Sequence, residues 1–180
     1  MRTRLPVYTA LAGGVVALTW LCRHAQGAEA PPTVEQVDLT RYLGRWYEIA
    51  RYPNGFERDQ DWVTATYTAL PNGKIEVLNR GHTPHGWKQI RGSAQAVRGS
   101  GNARLKVTFF WPFKGDYWII ALDEQGYRWA VVGEPRRKYL WILSRESEIE
   151  DALYQHLLKK VAQLGYDPSR LRRTEQKPAE

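Results

Sequence analysis

Eight short segments of strand character, followed by a single segment of helical period, constrain this chain more than any other feature. The strand-like segments lie at 46–52, 62–69, 74–80, 87–97, 104–111, 117–122, 128–132 and 139–145. Alternation is cleanest in 104–111, where Leu105, Val107, Phe109 and Trp111 share one face while Lys106 and Thr108 take the other. Segments 117–122 and 128–132 are apolar on both faces, so each face must be covered. Pro71-Asn72-Gly73 and the glycine-rich run at 99–102 read as tight turns, whereas 53–61 and 81–86 read as longer loops. Strands at such regular spacing predict an all-β fold, an eight-stranded up-and-down antiparallel barrel forming a calyx. The 8 tryptophans and 10 tyrosines suit strands around a binding cavity better than a helical bundle.

The period then changes. Ile149, Ala152, Leu153, Leu157, Val161 and Leu164 recur at helical spacing. Ser147 and Glu150 have the spacing of a capping box, Gly165 can end the helix, and Pro168 prevents its return. One apolar stripe places this C-terminal α-helix on the outside of the barrel, where it would cover the strands that lack a polar face. Residues 171–176 are expected to add a short final strand.

The first 27 residues have the form of a secretory signal: Arg2 and Arg4, an apolar core at 11–21, and small residues near Gly27 for cleavage. Residues 28–36 read as a proline-bearing, flexible lead-in, and residues 37–177 as the folded domain. Cys22 is the only cysteine. Two fates are open for it: lipidation as in a bacterial lipoprotein, or removal with the leader. Thr19-Trp20-Leu21 before it is a poor lipidation signal, because the preceding residue is normally small. Formal charge is +7, and the leader holds Arg2, Arg4 and Arg23 with no acid, so its removal leaves +4. An exported, mildly basic domain without a long basic run argues against a nucleic-acid partner and for attraction to a membrane surface.

Residues 41–51, RYLGRWYEIAR, open the domain. Gly44 permits a tight backbone turn, and the indole of Trp46 is large enough to plug one end of a barrel. Asp38 or Thr40 could cap a short helical turn just upstream.

Taken together, these residues resemble the lipocalin family, and the bacterial lipocalins within it. GRWYEIAR is similar to the family's first motif. EPRRKYLWILSR is similar to its last strand, including the arginine that closes the barrel, and KVTFFWPFKGDYWIIALD and GYRWAVVGEP are similar to the strands between. The resemblance runs from about Val37 to the end. It implies that Arg145 stacks on Trp46 at the closed end, a favourable cation–π contact. An inward Arg145 puts Tyr139, Trp141 and Leu143 in the lumen and turns Leu140 and Ile142 to the helix. Counting from Trp46 places Glu48 and Ala50 inside and Tyr47 and Ile49 outside. Matching to the family adds Ala65, Tyr67, Val77, Asn79, Val107, Phe109, Tyr117, Ile119 and Val132 to the cavity. Glu48 and Asn79 either orient a ligand head group or satisfy each other or Arg145.

The implied function is non-enzymatic binding, storage or transport of an amphipathic lipid, such as a lysophospholipid or fatty acid. The implied place is the periplasm or the periplasmic face of the outer membrane. The alternative is an enzyme acting in the cavity, although Gly133 stands beside Val132 with no cysteine there, and no serine–histidine–acid set assembles at one end. No cofactor or metal is expected: His82 and His85 lack a carboxylate or cysteine at ligand spacing and read as surface residues. Arg58, Arg80, Lys88, Lys114, Arg136, Arg137 and Lys138 fall on or beside the loops of the open mouth as a basic rim. A homodimer is left open.

Overall fold

The computed structural model describes residues 29–176, so the expected leader and Cys22 lie outside the described residues. A short helix α1 (Leu39–Tyr42) enters strand β1 (Gly44–Arg51), followed by β2 (Asp61–Ala69), β3 (Ile75–Thr83), β4 (Gly86–Ala96), β5 (Arg104–Phe110), β6 (Phe113–Leu122), β7 (Trp129–Gly133) and β8 (Leu140–Ser144). Helix α2 (Asp151–Gln163), a 3-10 turn (Pro168–Arg170) and the two-residue strand β9 (Arg172–Arg173) complete the chain.

From β1 to β8 each strand pairs antiparallel with the next, and β1 also pairs with β8, closing an eight-stranded barrel, while β9 pairs with β1. Direct β1–β2 pairing extends only from Gly44 opposite Tyr67 to Tyr47 opposite Thr64. Beyond it the C-terminal segment fills the gap between the two strands. Thr174 N donates to Ile49 O at 3.0 Å, and Trp62 N donates to Glu175 O at 2.7 Å. The Gln176 side-chain amide donates to the carbonyls of Glu48 and Val63. The short final strand expected from the sequence therefore completes the wall, satisfying backbone groups that would otherwise be orphaned.

Two apolar clusters divide the interior. One fills the barrel and includes Trp46, Tyr67, Val77, Leu105, Val107, Ile119, Val132 and Leu143. The other lies between the wall and α2, where Ile49, Ile120, Val131, Leu140 and Ile142 meet Tyr154, Leu157 and Val161. Strands β6 to β8 are apolar on both faces because each face meets a different cluster.

The local sequence signals hold at one end of α2 and not at the other. Gly165 terminates it with φ +80°, a left-handed conformation that suits glycine. The Ser147–Glu150 capping box does not form: Glu150 occupies the N-cap position and its side chain makes no capping hydrogen bond. The buried stripe contains Tyr154, whereas Ala152 is exposed. The lead-in, expected to be flexible, is anchored by Val34 N to Ile119 O at 3.1 Å, and the domain begins with Val37 N bonded to Gly101 O at 2.7 Å.

Candidate functional site

The closed end is built around Trp46, fully buried, whose indole N–H donates to Tyr42 O at 2.8 Å. Arg145 lies over the indole with its Cζ 3.8 Å from a ring centroid. Its guanidinium donates to Arg45 O, Arg41 O, Leu43 O and Tyr127 O, at 2.7, 2.7, 2.9 and 3.3 Å. One side chain thus ties α1, the start of β1 and the β6–β7 loop together. Gly44 adopts φ +90°, and a Cβ there would lie 3.4 Å from the Arg145 guanidinium.

Above this plug stand three tyrosines. The Tyr117 hydroxyl lies 2.8 Å from both the Tyr42 and Tyr67 hydroxyls. Burial pushes all three phenols above their ordinary value, so they remain neutral hydrogen-bonding groups. Tyr42 escaped the sequence reading because it lies on α1, outside any strand whose alternation could place it.

The wall above combines apolar side chains with sparse polar ones. Val77, Val107, Ile119 and Val132 are buried within the barrel cluster, and Ala65, Phe109, Tyr117 and Trp141 pack against it half-buried. A Cβ on Gly92 would meet the Phe109 ring at 2.6 Å, so glycine there leaves room for that ring. Asn79 lies between Ala65 of β2 and Ile90 of β4, and its side-chain oxygen is buried without a hydrogen-bond partner. Tyr139 sits at the rim rather than inside, 37 % exposed and stacked on Trp141 with ring centroids 5.9 Å apart.

Parity breaks within several strands, and the break in β1 changes which residues enter the lumen. The β1–β8 register shifts between Glu48 and Ala50, so Glu48 opposes Leu143, Ala50 opposes Ile142, and Arg51 opposes Trp141. Ala50, expected inside, therefore belongs to the cluster under α2. Arg51 turns inward instead and is 2 % exposed. A bulge adds one residue to a strand and reverses every side chain beyond it.

This reversal assembles a buried polar group. Arg51 forms an ion pair with Glu48 and donates to Thr174 Oγ1 at 3.0 Å, while Thr174 also bonds Glu48. The other guanidinium nitrogen donates to Glu57 O at 2.9 Å and Gln60 O at 2.7 Å, holding the β1–β2 loop. The Trp141 indole donates to the Glu57 carboxylate at 3.1 Å. Burial, followed by the charge on Glu57, lifts the Glu48 carboxyl to about 7, against the pull of Arg51 and Thr174. Glu48 is thus satisfied by Arg51 and Thr174, and not by Asn79 or Arg145. A cleft of about 340 Å³ opens beside this group, bordered by Arg51, Asn54, Glu57, Arg58 and Arg172.

The remaining candidates lie outside the lumen. His82 stacks on Trp62 with centroids 4.4 Å apart, and His85 is exposed in the β3–β4 turn. Among the described residues no group of three His, Cys, Asp or Glu side chains is placed to hold a metal ion. Arg137 leaves the expected rim: it is half-buried and bonds Leu164 O and Glu29 O.

A closed antiparallel calyx, plugged at one end by a tryptophan under an arginine and flanked by a C-terminal helix, defines the lipocalin class. The Lipocalin-like domain family model matches residues 37–176, and the chain belongs to the lipocalin family. It is 45 % identical over 139 residues to the outer membrane lipoprotein Blc of Escherichia coli K12, across 76 % of this chain and 78 % of the relative. It is 41 % identical over 152 residues to temperature-induced lipocalin-1 of Arabidopsis thaliana, across 79 % and 81 %. Apolipoprotein D of Mus musculus is 32 % identical over 186 residues, across 98 % and 96 %. Among solved structures, insecticyanin from the tobacco hornworm Manduca sexta superposes with a TM-score of 0.69 at 20 % identity, covering 85 % of this chain and 87 % of that one, and shares the fold.

Proposed function

We propose that the calyx binds one single-chain amphiphile, a fatty acid or lysophospholipid, and carries it within the cell envelope without chemical change. The observation that carries this reading is Asn79. A buried amide oxygen without a partner, on a wall of Ala65, Ile90, Val77 and Phe109, is costly unless a bound molecule supplies a donor. Such a wall suits an acyl chain, and the narrow interior of an eight-stranded barrel favours one chain over two. Glu48 and Arg51 are committed to each other and to Thr174, which favours binding over catalysis. Relatives named outer membrane lipoproteins support an envelope location.

Tryptophan fluorescence tests the proposal, because Trp141 stands in the wall. Titration with a long-chain fatty acid or a lysophospholipid should saturate below tens of micromolar, roughly −6 kcal/mol. Ala65→Trp should fill the lumen and abolish that response while the far-ultraviolet circular dichroism of the barrel persists. Failure of both ligands at that concentration, or full binding by the folded Ala65→Trp variant, rejects the carrier reading.

A further inference from the structure

Seven large apolar side chains are exposed among the described residues: Phe56, Trp87, Val97, Phe110, Trp111, Phe113 and Tyr139. Strand direction sorts them. The closed end holds the start of β1 and the β2–β3, β4–β5 and β6–β7 connections, and Val97 lies there. The other six lie at the open end, on or beside its four connections. Three of them form the β5–β6 hairpin tip, with Phe110 69 %, Trp111 86 % and Phe113 76 % exposed around Pro112. Aromatic residues this exposed and this clustered mark an interaction surface rather than ordinary surface scatter.

Charge identifies the partner. The four connections of the open end carry the exposed cations Arg58, Arg136 and Lys138, and Lys114 and Lys88 lie just inside β6 and β4, where the half-buried Asp116 and Asp61 are already paired with Lys106 and Arg172. Against them stands one exposed carboxylate in those connections, Asp59, since Glu57 and Glu134 are buried there. Glu134 is further committed, accepting from Arg136 N at 2.9 Å and from Lys138 N. Aromatic side chains interleaved with lysine and arginine suit the boundary of an anionic bilayer, where rings lie among head groups and cations meet phosphates. A second copy of this face would set like charge against like charge.

We propose that the hairpin tip Phe110-Trp111-Pro112-Phe113-Lys114 inserts into the interfacial layer of an anionic membrane and seats the barrel with its open mouth against the lipid. Docking requires no cargo in the lumen. For the carrier function proposed above, it places the mouth where an amphiphile passes between bilayer and calyx without crossing bulk water.

The test uses residues 29–180, which contain every described element and omit the apolar leader, with two kinds of vesicle. Co-sedimentation should show binding to vesicles containing one quarter phosphatidylglycerol in phosphatidylethanolamine, and weaker binding to phosphatidylcholine alone. The double variant Trp111→Ser, Phe113→Ser should lose at least about tenfold in partitioning. Lys114→Glu should weaken binding to the anionic vesicles and leave the phosphatidylcholine value unchanged. Lipids brominated near the head group should quench tryptophan emission, and the Trp111→Phe variant should lose most of that quenching, with Trp87 supplying the remainder. All variants should bind monodisperse fatty acid as the parent does, so a failed cargo titration rejects the carrier reading alone. Docking is overturned if the parent ignores both vesicles, or if the double variant partitions equally. It is also overturned if sedimentation shows a dimer that the double variant dissolves, which would assign the face to a second copy.

Discussion

Arg145 lies 3.8 Å above the Trp46 ring and donates hydrogen bonds to carbonyls of α1, β1 and the β6–β7 loop. The pair makes the closed end one unit: the indole fills space, and the guanidinium satisfies carbonyls that turn away from the sheet. Trp46→Ala should cost about 3–5 kcal/mol of stability by urea denaturation. Arg145→Lys should cost about 2 kcal/mol, because an ammonium cannot reproduce the planar fork. A loss below about 1 kcal/mol for Trp46→Ala would show that the indole does not support the closed end.

The tyrosine hydroxyls predict an order of effects. Tyr117 is the shared partner of Tyr42 and Tyr67, so Tyr117→Phe leaves two buried hydroxyls unsatisfied. Tyr67→Phe leaves the Tyr42–Tyr117 bond intact. Tyr117→Phe should therefore cost more, about 2–4 kcal/mol against about 1 kcal/mol. Equal losses for the two variants would dissolve the proposed hierarchy.

Glu48 predicts a pH dependence of definite sign. Its carboxyl is lifted from about 4.5 to about 7, so between these values the folded chain holds a proton that the unfolded chain has released. The contribution to stability is full below about 4.5 and declines as pH rises through about 7, by at most about 3 kcal/mol. Glu48→Gln should remove this decline. The absolute stability of the variant will also fall, because Arg51 loses its buried partner, so the diagnostic quantity is the slope. Parallel stability–pH curves for parent and variant between pH 4.5 and 7 would mean that Glu48 does not titrate there.

Two glycines of neighbouring strands should respond unequally to alanine. A Cβ on Gly133 would come within 2.1 Å of the Tyr166 hydroxyl, whereas one on Gly115 meets nothing closer than 3.9 Å. Gly133→Ala must displace Tyr166 from its bonds with the Glu134 backbone and should cost about 1–3 kcal/mol. Gly115→Ala should stay within about 0.5 kcal/mol of the parent. Thermal unfolding of the two variants side by side distinguishes them, and a neutral Gly133→Ala would show that Tyr166 does not pack there.

Alternation and punctuation in the chain by themselves determined the eight strands and the outer helix, and the resemblance to the lipocalins supplied the closed end of Arg145 over Trp46. These signals are local: apolar period, turn chemistry and a glycine at the helix end act over a few residues. The inward positions of Trp46, Tyr67, Val77, Val107, Ile119 and Val132 follow from that alternation together with matching to the family. Tertiary structure decided what depends on pairing between distant segments. The bulge in β1 sends Ala50 outward and Arg51 inward, and no local pattern marks it, because both registers leave β1 with apolar residues on each face. Thr174 reaches the lumen only because β1 and β2 diverge and the C-terminal segment fits between them. Exposure at the hairpin tip was likewise a tertiary outcome: Phe109 and Trp111 share one face of an alternating run, yet the β5–β6 register shifts between Val107 and Phe110 and β5 ends at Phe110, so Phe109 packs inward while Trp111 stands in solvent.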